Sequence, residues 1–344
     1  MSNTDSDVLV RLDNVVKHFP VQSSALFRRA TEVVHAVDGV SLEIRRGETL
    51  GLVGETGCGK STLARCLARL FDLTAGSVTF DGTDITKLSR KAMRPIRRDV
   101  QMIFQDPYGS LNPRRRVGSI IGDPLAIHGL ATGKDRKRIV QETMELVGLN
   151  PEHFNRFPAE FSGGQRQRIG VARALVLRPK LIICDEPVSA LDVSIQAQII
   201  NLLSDLQSEL GLTYLFIAHD LSVVRHVSDR VAVMYLGKIC EIGPSDTLYE
   251  DPEHPYTEFL LGAALEADVD SPVHGAVLEG EPPSPLHPPS GCRFRTRCPN
   301  ATDLCASEEP LLQEIAPGHQ VACHFPLGTL TQRLYSDRLA RRSD

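Results

Sequence analysis

The sequence predicts an α/β fold in which helices cover both faces of a mostly parallel sheet. Nearly continuous apolar runs occur at residues 49–53, 100–104, 181–184, 214–218 and 231–235. Such runs are typical of strands that are buried on both faces. Between them lie segments with apolar residues every three or four positions, most clearly at residues 195–210, and this spacing indicates amphipathic helices. Alternating strands and helices predict parallel strands whose carboxyl ends meet at one edge of the sheet.

The first elements along the chain are two short strands, predicted at residues 33–37 and 40–44. The apolar strand at residues 49–53 follows, and after a glycine-rich loop residues 61–70 have the apolar spacing of a helix. The loop therefore joins the end of a buried strand to the start of a helix.

The middle and the end of the chain differ from this pattern. Between about residues 107 and 178 the strand signals vanish and polar or basic helical stretches dominate, which we interpret as a helical subdomain inserted into the α/β core. Residues 251–344 are rich in proline and hold four of the 8 cysteines. Because proline lacks an amide donor, residues 281–289 cannot continue a helix or an internal strand. We predict a core of residues 1–250 and a C-terminal extension of residues 251–344.

The composition limits the classes of function. The 344 residues are 42% hydrophobic and 24% charged, enough for a substantial core. The net charge of −5 gives no electrostatic reason to expect nucleic acid as the main partner. The first seven residues lack the order of an export signal, and no apolar run approaches the roughly 18 residues of a membrane span. We expect the polypeptide to be made and kept in the cytosol, so that any association with a membrane comes through a partner.

The glycine-rich loop fits the phosphate-binding pattern G-x-x-x-x-G-K-S. It consists of Gly54, Glu55, Thr56, Gly57, Cys58, Gly59, Lys60 and Ser61, and is followed by Thr62. Glycines let backbone N–H groups point inward around an anion, and the start of the next helix adds free amides. Lys60 is expected to reach the β- and γ-phosphates, and Ser61 to bind Mg²⁺. We interpret Cys58 as a space-filling residue.

Four further polar residues each follow an apolar strand. Asp185 is placed to hold Mg²⁺ directly or through water, and Glu186 to polarise the water that attacks the γ-phosphate. His219 is placed to contact the γ-phosphate, and Gln105 to contact Mg²⁺ or the water. This set of residues predicts hydrolysis of a nucleoside triphosphate.

These motifs, in this order, resemble the nucleotide-binding subunits of ABC transporters over the whole predicted core. The residues that carry the resemblance are the phosphate loop, Gln105, Ser162-Gly163-Gly164-Gln165, Asp185-Glu186, Ser189-Ala190-Leu191-Asp192 and His219. The resemblance implies a P-loop NTPase (RecA-like) α/β core with an inserted helical subdomain and a small Cys-containing C-terminal extension. It also implies ATP and Mg²⁺ as cofactors.

By the same resemblance two cassettes pair head to tail around ATP. Each ATP then lies between the phosphate loop of one cassette and residues 162–165 of the other, with Asp192 also at the nucleotide. A Ser-Gly-Gly turn that opens a helix would supply backbone donors to a γ-phosphate. Phe19 looks like the aromatic residue that stacks on adenine, although a core role is an open alternative.

The departures from the family pattern are small. Phe161 stands where leucine is commoner, and Thr56 replaces a frequent serine. Neither change removes a phosphate-binding group, and Glu186 is present. We therefore expect a hydrolytically competent site.

A narrower resemblance comes from residues 104–113, residues 251–257 and the cysteine-bearing tail, which look like those of the ATPases of dipeptide and oligopeptide importers. The insertion at residues 20–34 resembles the second, F-type ATPase of those systems. The resemblance implies that the chain powers peptide import together with a second ABC ATPase subunit, identical or paralogous, and two transmembrane permease subunits. An extracytoplasmic solute-binding protein would act through the permeases. Family members also serve nickel, glutathione and some sugars, so the cargo is open.

The four cysteines of the extension are Cys292, Cys298, Cys305 and Cys323, with arginines interleaved around the first pair. Disulfides are disfavoured in a cytosolic protein, and these spacings match neither a zinc finger nor a common ferredoxin pattern. In related importer ATPases a similar quartet is associated with a [4Fe-4S] cluster. A structural cluster and free thiols are the two interpretations.

Two other classes of function remain as alternatives. A soluble ABC ATPase acting on DNA or ribosomes would be expected to carry a second cassette or a long coiled coil, and the sequence shows neither. An inactive regulatory cassette would be expected to lack catalytic residues, whereas the set is intact.

Overall fold

The computed structural model describes residues 7–22, 31–106, 109–266 and 281–328. Parts of several predictions lie outside these residues, namely the first six positions, most of the insertion at 20–34, Pro107 and Tyr108, and segments 267–280 and 329–344 of the predicted extension. The chain forms two compact units. The first contains the described residues within Met1–Leu9, Ile44–Thr49 and Phe80–Ala218, and the second contains those within Val10–Glu43, Leu50–Thr79 and His219–Asp344.

The strands are β1 (Val8–Gln22), β2 (Thr31–Arg45), β3 (Thr49–Val53), β4 (Ala75–Phe80), β5 (Thr83–Asp84), β6 (Val100–Ile103), β7 (Leu181–Asp185), β8 (Thr213–Ile217), β9 (Arg230–Tyr235), β10 (Lys238–Pro244), β11 (Gln313–Ala316) and β12 (His319–Val321). The helices are α1 (Lys60–Leu67), α2 (Met93–Asp99), α3 (Val117–His128), α4 (Gly133–Leu146), α5 (Gly163–Leu175), α6 (Val193–Leu210), α7 (Leu221–Val227), α8 (Ser245–Glu250), α9 (Pro255–Glu266) and α10 (Asp303–Ser307). Two 3₁₀ turns cover Pro151–Asn155 and Pro158–Glu160.

In the first unit, β8, β7 and β6 lie side by side as parallel strands. Cys184 of β7 is opposite Ile103 of β6 and Phe216 of β8. All five residues of β7 and of β8 are buried, which explains why their sequences are apolar without alternation. The predicted parallel strands are confirmed here.

The helices predicted between residues 107 and 178 are present in the described part of that range, which contains α3, α4 and α5 and no strand. Their buried apolar side chains include Ile121, Val140 and Ile169. The Phe154 ring lies so near Gly118 that a Cβ there would come within 2.4 Å of it, so only glycine permits this close packing. The boundaries of the subdomain stay a prediction.

In the second unit, β3 and β9 are parallel, and β10, β12 and β11 extend the sheet from β9 as antiparallel strands. A separate sheet places β1 between β2 and β4. The sequence predicted two short strands at residues 33–37 and 40–44, but β2 runs continuously through both. Gly39, which lies between the two predicted strands, has φ +83° within β2, a conformation that glycine adopts without a steric cost.

The residues after 281 pack against β9 through aromatic rings. Phe294 lies 5.4 Å from Tyr235 and 5.3 Å from Tyr256, measured between ring centroids, and all three side chains are buried. Burial of each such side chain stabilises the folded state by about 2 kcal/mol. The C-terminal extension is therefore fixed to the sheet of the second unit.

A buried carboxylate reinforces this attachment. Glu241 of β10 is fully buried and accepts hydrogen bonds of 2.9 Å from the backbone N–H groups of Glu253 and His254. Its third contact is a 2.7 Å hydrogen bond with Nε2 of His319 in β12. The carboxylate of β10 thus binds donors from two other segments, residues 253–254 and β12. Among the helices of the described residues, none combines the length and apolarity needed to cross a membrane.

Candidate active site

The predicted phosphate loop in the second unit joins β3 to α1. All five residues of β3 are buried, and α1 begins at Lys60, so the strand, loop and helix order expected from the sequence is confirmed. Thr56 and Gly57 form the exposed tip of the loop, while Ser61 and Thr62 lie in the first turn of α1.

Two glycines of the loop are required by its geometry. A Cβ on Gly54 would lie 2.1 Å from the carbonyl oxygen of Met234, and a Cβ on Gly59 would lie 2.1 Å from that of Ala36. Both glycines also have positive φ, 146° and 113°. A side chain at either position would force the loop away from β9 or β2 and misdirect its backbone amides.

The Lys60 side chain lies inside the loop and is 5% exposed. Its ammonium donates hydrogen bonds of 2.6 Å and 3.0 Å to the carbonyl oxygens of Gly54 and Glu55. Cys58 is buried beside it, and burial raises the pKa of the Cys58 thiol while the Lys60 charge partly offsets this. The thiol therefore stays neutral, in line with its interpretation as a space-filling residue.

Glu55, at the second position of the loop, is held by residues from distant parts of the chain. Its two carboxylate oxygens accept hydrogen bonds of 2.8 Å and 3.0 Å from the Arg297 guanidinium. Its backbone N–H donates to the Tyr256 hydroxyl at 2.9 Å. Neither Arg297 nor Tyr256 was among the predicted site residues.

Phe19 is half-buried in β1 and stacks edge-on against Phe71, with 5.5 Å between ring centroids. The ammonium of Lys17 lies 4.8 Å from the Phe19 centroid. Phe19 is thus a partly accessible aromatic residue with an apolar neighbour, and both of its predicted roles stay open.

Beside it, His18, His35 and Asp38 place three possible metal-ligand atoms within 4.8 Å of one another. The same Asp38 carboxylate forms an ion pair with Arg293 and a 3.0 Å hydrogen bond with Nε2 of His18. Although burial of Asp38 opposes ionisation, His18, Arg293 and Lys238 hold its pKa below the usual range. A guanidinium on the carboxylate disfavours a metal ion there, so we interpret the group as an ion-pair network.

In the first unit, Asp185 and Glu186 lie at the carboxyl end of β7, as predicted. Asp185 is 3% exposed, and Glu186 follows it with φ +50°, the left-handed region that a side chain rarely adopts. The backbone N–H of Glu186 donates to the carbonyl of Ile217 at 3.0 Å, and the Ser189 hydroxyl donates to the Glu186 carbonyl at 3.2 Å. Such strain at a strand end is typical of functional residues.

Gln105, just beyond β6, meets Glu186 directly. Its side-chain amide donates a 2.7 Å hydrogen bond to a carboxylate oxygen of Glu186. The parallel register of β6 with β7 brings the two strand ends together. The first unit therefore presents a carboxylate and an amide side by side, a pair suited to orienting a water molecule.

Residues 162–165 form the start of α5. The Ser162 hydroxyl accepts a hydrogen bond from the Gln165 backbone N–H at 3.3 Å, and the Gln165 side-chain oxygen accepts one from the Ser162 N–H at 3.0 Å. This reciprocal pair is a capping box. A Cβ on Gly164 would lie 2.5 Å from the Ile195 side chain. The segment is thus a rigid helix start, as the Ser-Gly-Gly pattern predicted.

Two other predicted residues lie at exposed helix starts. Asp192 is the N-cap of α6 in the first unit, and its carbonyl accepts from Ile195 and Gln196 at 2.9 Å. His219 is exposed in the second unit and precedes Asp220, whose carboxylate caps α7. Each unit thus holds its own subset of the predicted residues.

The four cysteines Cys292, Cys298, Cys305 and Cys323 line one small cavity in the second unit. All four are free thiols. Burial raises the pKa of Cys292 and Cys298, and it raises the pKa of Cys323 to about 12. The structure therefore brings together four cysteines that are spread along the sequence from residue 292 to residue 323.

Two comparisons of the sequence with known families agree with the motifs. A model of the ABC transporter family matches residues 37–189, and a model of the oligopeptide/dipeptide transporter C-terminal region matches residues 240–305.

Individual proteins and a solved structure are similar as well. The chain is 53% identical, over 94% of its length and 99% of the relative, to the oligopeptide transport ATP-binding protein AppF of Bacillus subtilis. It is 58% identical to the putative oligopeptide transport ATP-binding protein YkfD of the same organism, over 85% of the chain and 90% of the relative. The post-hydrolysis dimer of the ATP-binding cassette MJ0796 bound to ADP and Pi superposes with a TM-score of 0.60 at 30% identity, covering 69% of this chain and 98% of that cassette.

The fold of the cassette, a P-loop NTPase, follows from the structural match, and ATP with Mg²⁺ follows from the family. Because its aligned residues are 53% and 58% identical to these two relatives, of which it covers 99% and 90%, the chain belongs to the ABC transporter ATPases, in the branch that carries the oligopeptide/dipeptide transporter C-terminal region.

Proposed function

We propose that this chain is the ATP-hydrolysing subunit that powers import of dipeptides or oligopeptides through a membrane ABC transporter. The hydrogen bond between Gln105 and Glu186 carries the hydrolytic part of the proposal, because it places a candidate base and its orienting amide together. The match of residues 240–305 to the peptide-transporter C-terminal region supports the choice of cargo class.

Within the ATP site we assign roles by chemistry. The amides of residues 54–62 and the Lys60 ammonium bind the phosphates, and Ser61, Asp185 and Gln105 hold Mg²⁺. Glu186 polarises the attacking water, and His219 contacts the γ-phosphate. Phe19 stacks on adenine.

Assembly completes the site. Residues 162–165 and Asp192 of one cassette meet the nucleotide bound by the phosphate loop of a second cassette, identical or paralogous. The rigid capping box at Ser162 supports this role, because it fixes the backbone donors at the start of α5. The cassettes associate at the cytoplasmic face of the membrane with two permease subunits, and a solute-binding protein delivers cargo through the permeases.

The cysteine quartet fits a [4Fe-4S] cluster better than a single zinc ion. Four sulfurs around one tetrahedral zinc at about 2.3 Å lie roughly 3.8 Å apart. Among the described residues, no three cysteine sulfurs approach within 4.8 Å of one another, although all four cysteines line one cavity. A cluster, whose inorganic core separates its ligands, suits this wider spacing. When bound, the cluster would link the four cysteine-bearing positions of the extension to one another.

Iron and acid-labile sulfide in anaerobically purified protein test the cluster. The expected result is about four of each per chain. Absence of both would leave free thiols as the correct interpretation.

Recovery of membrane partners tests the transport role. A tagged chain should capture two polytopic subunits from detergent-solubilised membranes. The peptide-loaded binding protein should then stimulate ATP turnover by the captured complex. Capture of ribosomes or DNA would favour the soluble alternative. Capture of permeases without stimulation by peptides, but with stimulation by nickel, glutathione or a sugar, would keep the motor role and replace the cargo.

A further inference from the structure

The phosphate loop of the second unit is attached to the C-terminal extension through an ion pair that its family motif does not include. Arg297 binds both carboxylate oxygens of Glu55, at 2.8 Å and 3.0 Å, and its side chain is 7% exposed. The Tyr235 hydroxyl lies 3.4 Å from the same guanidinium. A bidentate, largely buried pair of this kind fixes both position and orientation.

The surrounding contacts make this attachment stiff. The Tyr256 hydroxyl, in α9, accepts from the backbone N–H of Glu55 at 2.9 Å. Four residues before Arg297, Arg293 donates to the carbonyl of Leu236 and pairs with Asp38. Through Arg297 and Arg293, the extension thus binds both the phosphate loop and strand β2.

We propose that Arg297 is a positioning residue that controls nucleotide affinity by holding and neutralising Glu55, and that it transmits the state of the cysteine cavity to the phosphate loop. The inference rests on the proposed function of residues 54–62 as the phosphate site.

The electrostatic reason lies in the charge of Glu55. A nucleotide brings several negative charges to the loop, and an unpaired carboxylate at its second position would repel them. Arg297 compensates that charge and withdraws the carboxylate from the loop interior, where Lys60 contacts the Glu55 backbone carbonyl instead. Without Arg297, the partly buried carboxylate would remain near the incoming phosphates.

The two arginines are joined to the cysteines directly through the backbone. Cys298 directly follows Arg297, and Cys292 directly precedes Arg293. Both cysteines line the cavity of the quartet. Any ligation that fixes the sulfurs of Cys292 and Cys298 therefore also fixes the backbone that presents the two arginines.

Calorimetric binding of MgADP to the full chain tests the proposal without hydrolysis. We expect Arg297→Gln to raise the dissociation constant about tenfold, in the range of typical coupling between sites. Arg295→Gln is the matched control, because Arg295 lies in the same segment but donates to Ser290, and it should stay within about twofold of wild type. Arg297→Lys should fall between the two, since lysine keeps the charge without the fork.

A double variant identifies the mechanism. Glu55→Gln combined with Arg297→Gln removes the unpaired charge and should recover most of the lost affinity. Cys298→Ser should weaken binding in the wild-type background and have little further effect in the double variant, because the route through Arg297 is already broken.

The outcomes separate this inference from the proposed site. If Lys60→Ala binds MgADP like wild type, the phosphate site itself is wrong. If Lys60→Ala loses binding but Arg297→Gln matches Arg295→Gln, the phosphate site stands and the role of Arg297 is refuted. A double variant as weak as Arg297→Gln alone would refute the charge-compensation mechanism.

Discussion

Glu186 accepts a 2.7 Å hydrogen bond from the side-chain amide of Gln105, a residue 81 positions earlier in the chain. The contact arises because β6 and β7 are parallel neighbours, Glu186 directly follows β7, and Gln105 lies two residues beyond the end of β6. It also orients a carboxylate whose backbone is already held in the left-handed region at φ +50°. The fold thus sets the direction of Glu186 before any substrate binds.

Replacing Gln105 by alanine should slow ATP turnover more than it weakens nucleotide binding. The variant loses the donor that orients Glu186 and a proposed Mg²⁺ ligand, so we expect kcat to fall about 10- to 100-fold with KM changed less than about threefold. Steady-state kinetics of the assembled transporter measure both constants. Gln101→Ala is the control, because Gln101 of β6 donates to the backbone of Arg97 and Val100. Equal kinetics for the two variants would refute the role of Gln105.

Replacing Lys60 by alanine should greatly lower the affinity of the phosphate loop for nucleotide. The ammonium is the positive group inside the loop, and its loss removes a charge-assisted contact to the phosphates. We expect the dissociation constant for MgATP to rise by about 100-fold or more. Equilibrium binding by fluorescence measures it, and the exposed Lys91→Ala serves as control. Unchanged affinity in Lys60→Ala would contradict the assignment of the loop.

His254 should make stability depend on pH. Its side chain is buried, and burial lowers its pKa to about 4, partly opposed by Glu241. In the unfolded state the pKa of His254 is near 6.5, so the unfolded state binds more protons than the folded state between about pH 6.5 and pH 4. The contribution of neutral His254 to stability is therefore complete above pH 6.5 and is lost as the pH falls through this window. We expect the free energy of unfolding to drop by about 2 kcal/mol from pH 7 to pH 5 because of this residue.

Urea unfolding of wild type and His254→Gln at the two pH values measures that contribution. The variant should be less stable at pH 7 and should lose less stability on acidification. The exposed His287→Gln should retain the wild-type pH dependence. A His254→Gln profile parallel to that of wild type would show that this histidine does not titrate in the expected window.

Local sequence signals predicted the parts of the site that are built from neighbouring residues. The phosphate loop was identifiable because an apolar strand, spaced glycines and a helical pattern occur in succession, and the structure has β3, the loop and α1 in that order. The sequence placed Gln105 and Glu186 each at the carboxyl end of a strand, but it did not identify the contact between them. The helix start at residues 162–165 was predicted from the Ser-Gly-Gly pattern, and the structure has α5 beginning there.

Contacts between distant segments could not be predicted in this way. The pair of Glu55 with Arg297 spans 242 positions and joins a loop to a proline-rich segment, neither of which has a periodic pattern. The arginines interleaved with cysteines were the only signal, and it did not name their partners. The continuity of β2 was missed because Gly39 resembles a turn residue, whereas the strand tolerates its positive φ.

Nucleotide turnover by the Glu186→Gln variant, in the transporter assembled with its permeases and partner cassette, tests the central claim most directly. Glutamine keeps the size of the side chain but cannot act as a base. We predict that hydrolysis falls by about 100-fold or more while ATP binds and stays trapped between two associated cassettes. Near-normal hydrolysis by this variant, or no nucleotide-dependent association of the cassettes, would contradict the account.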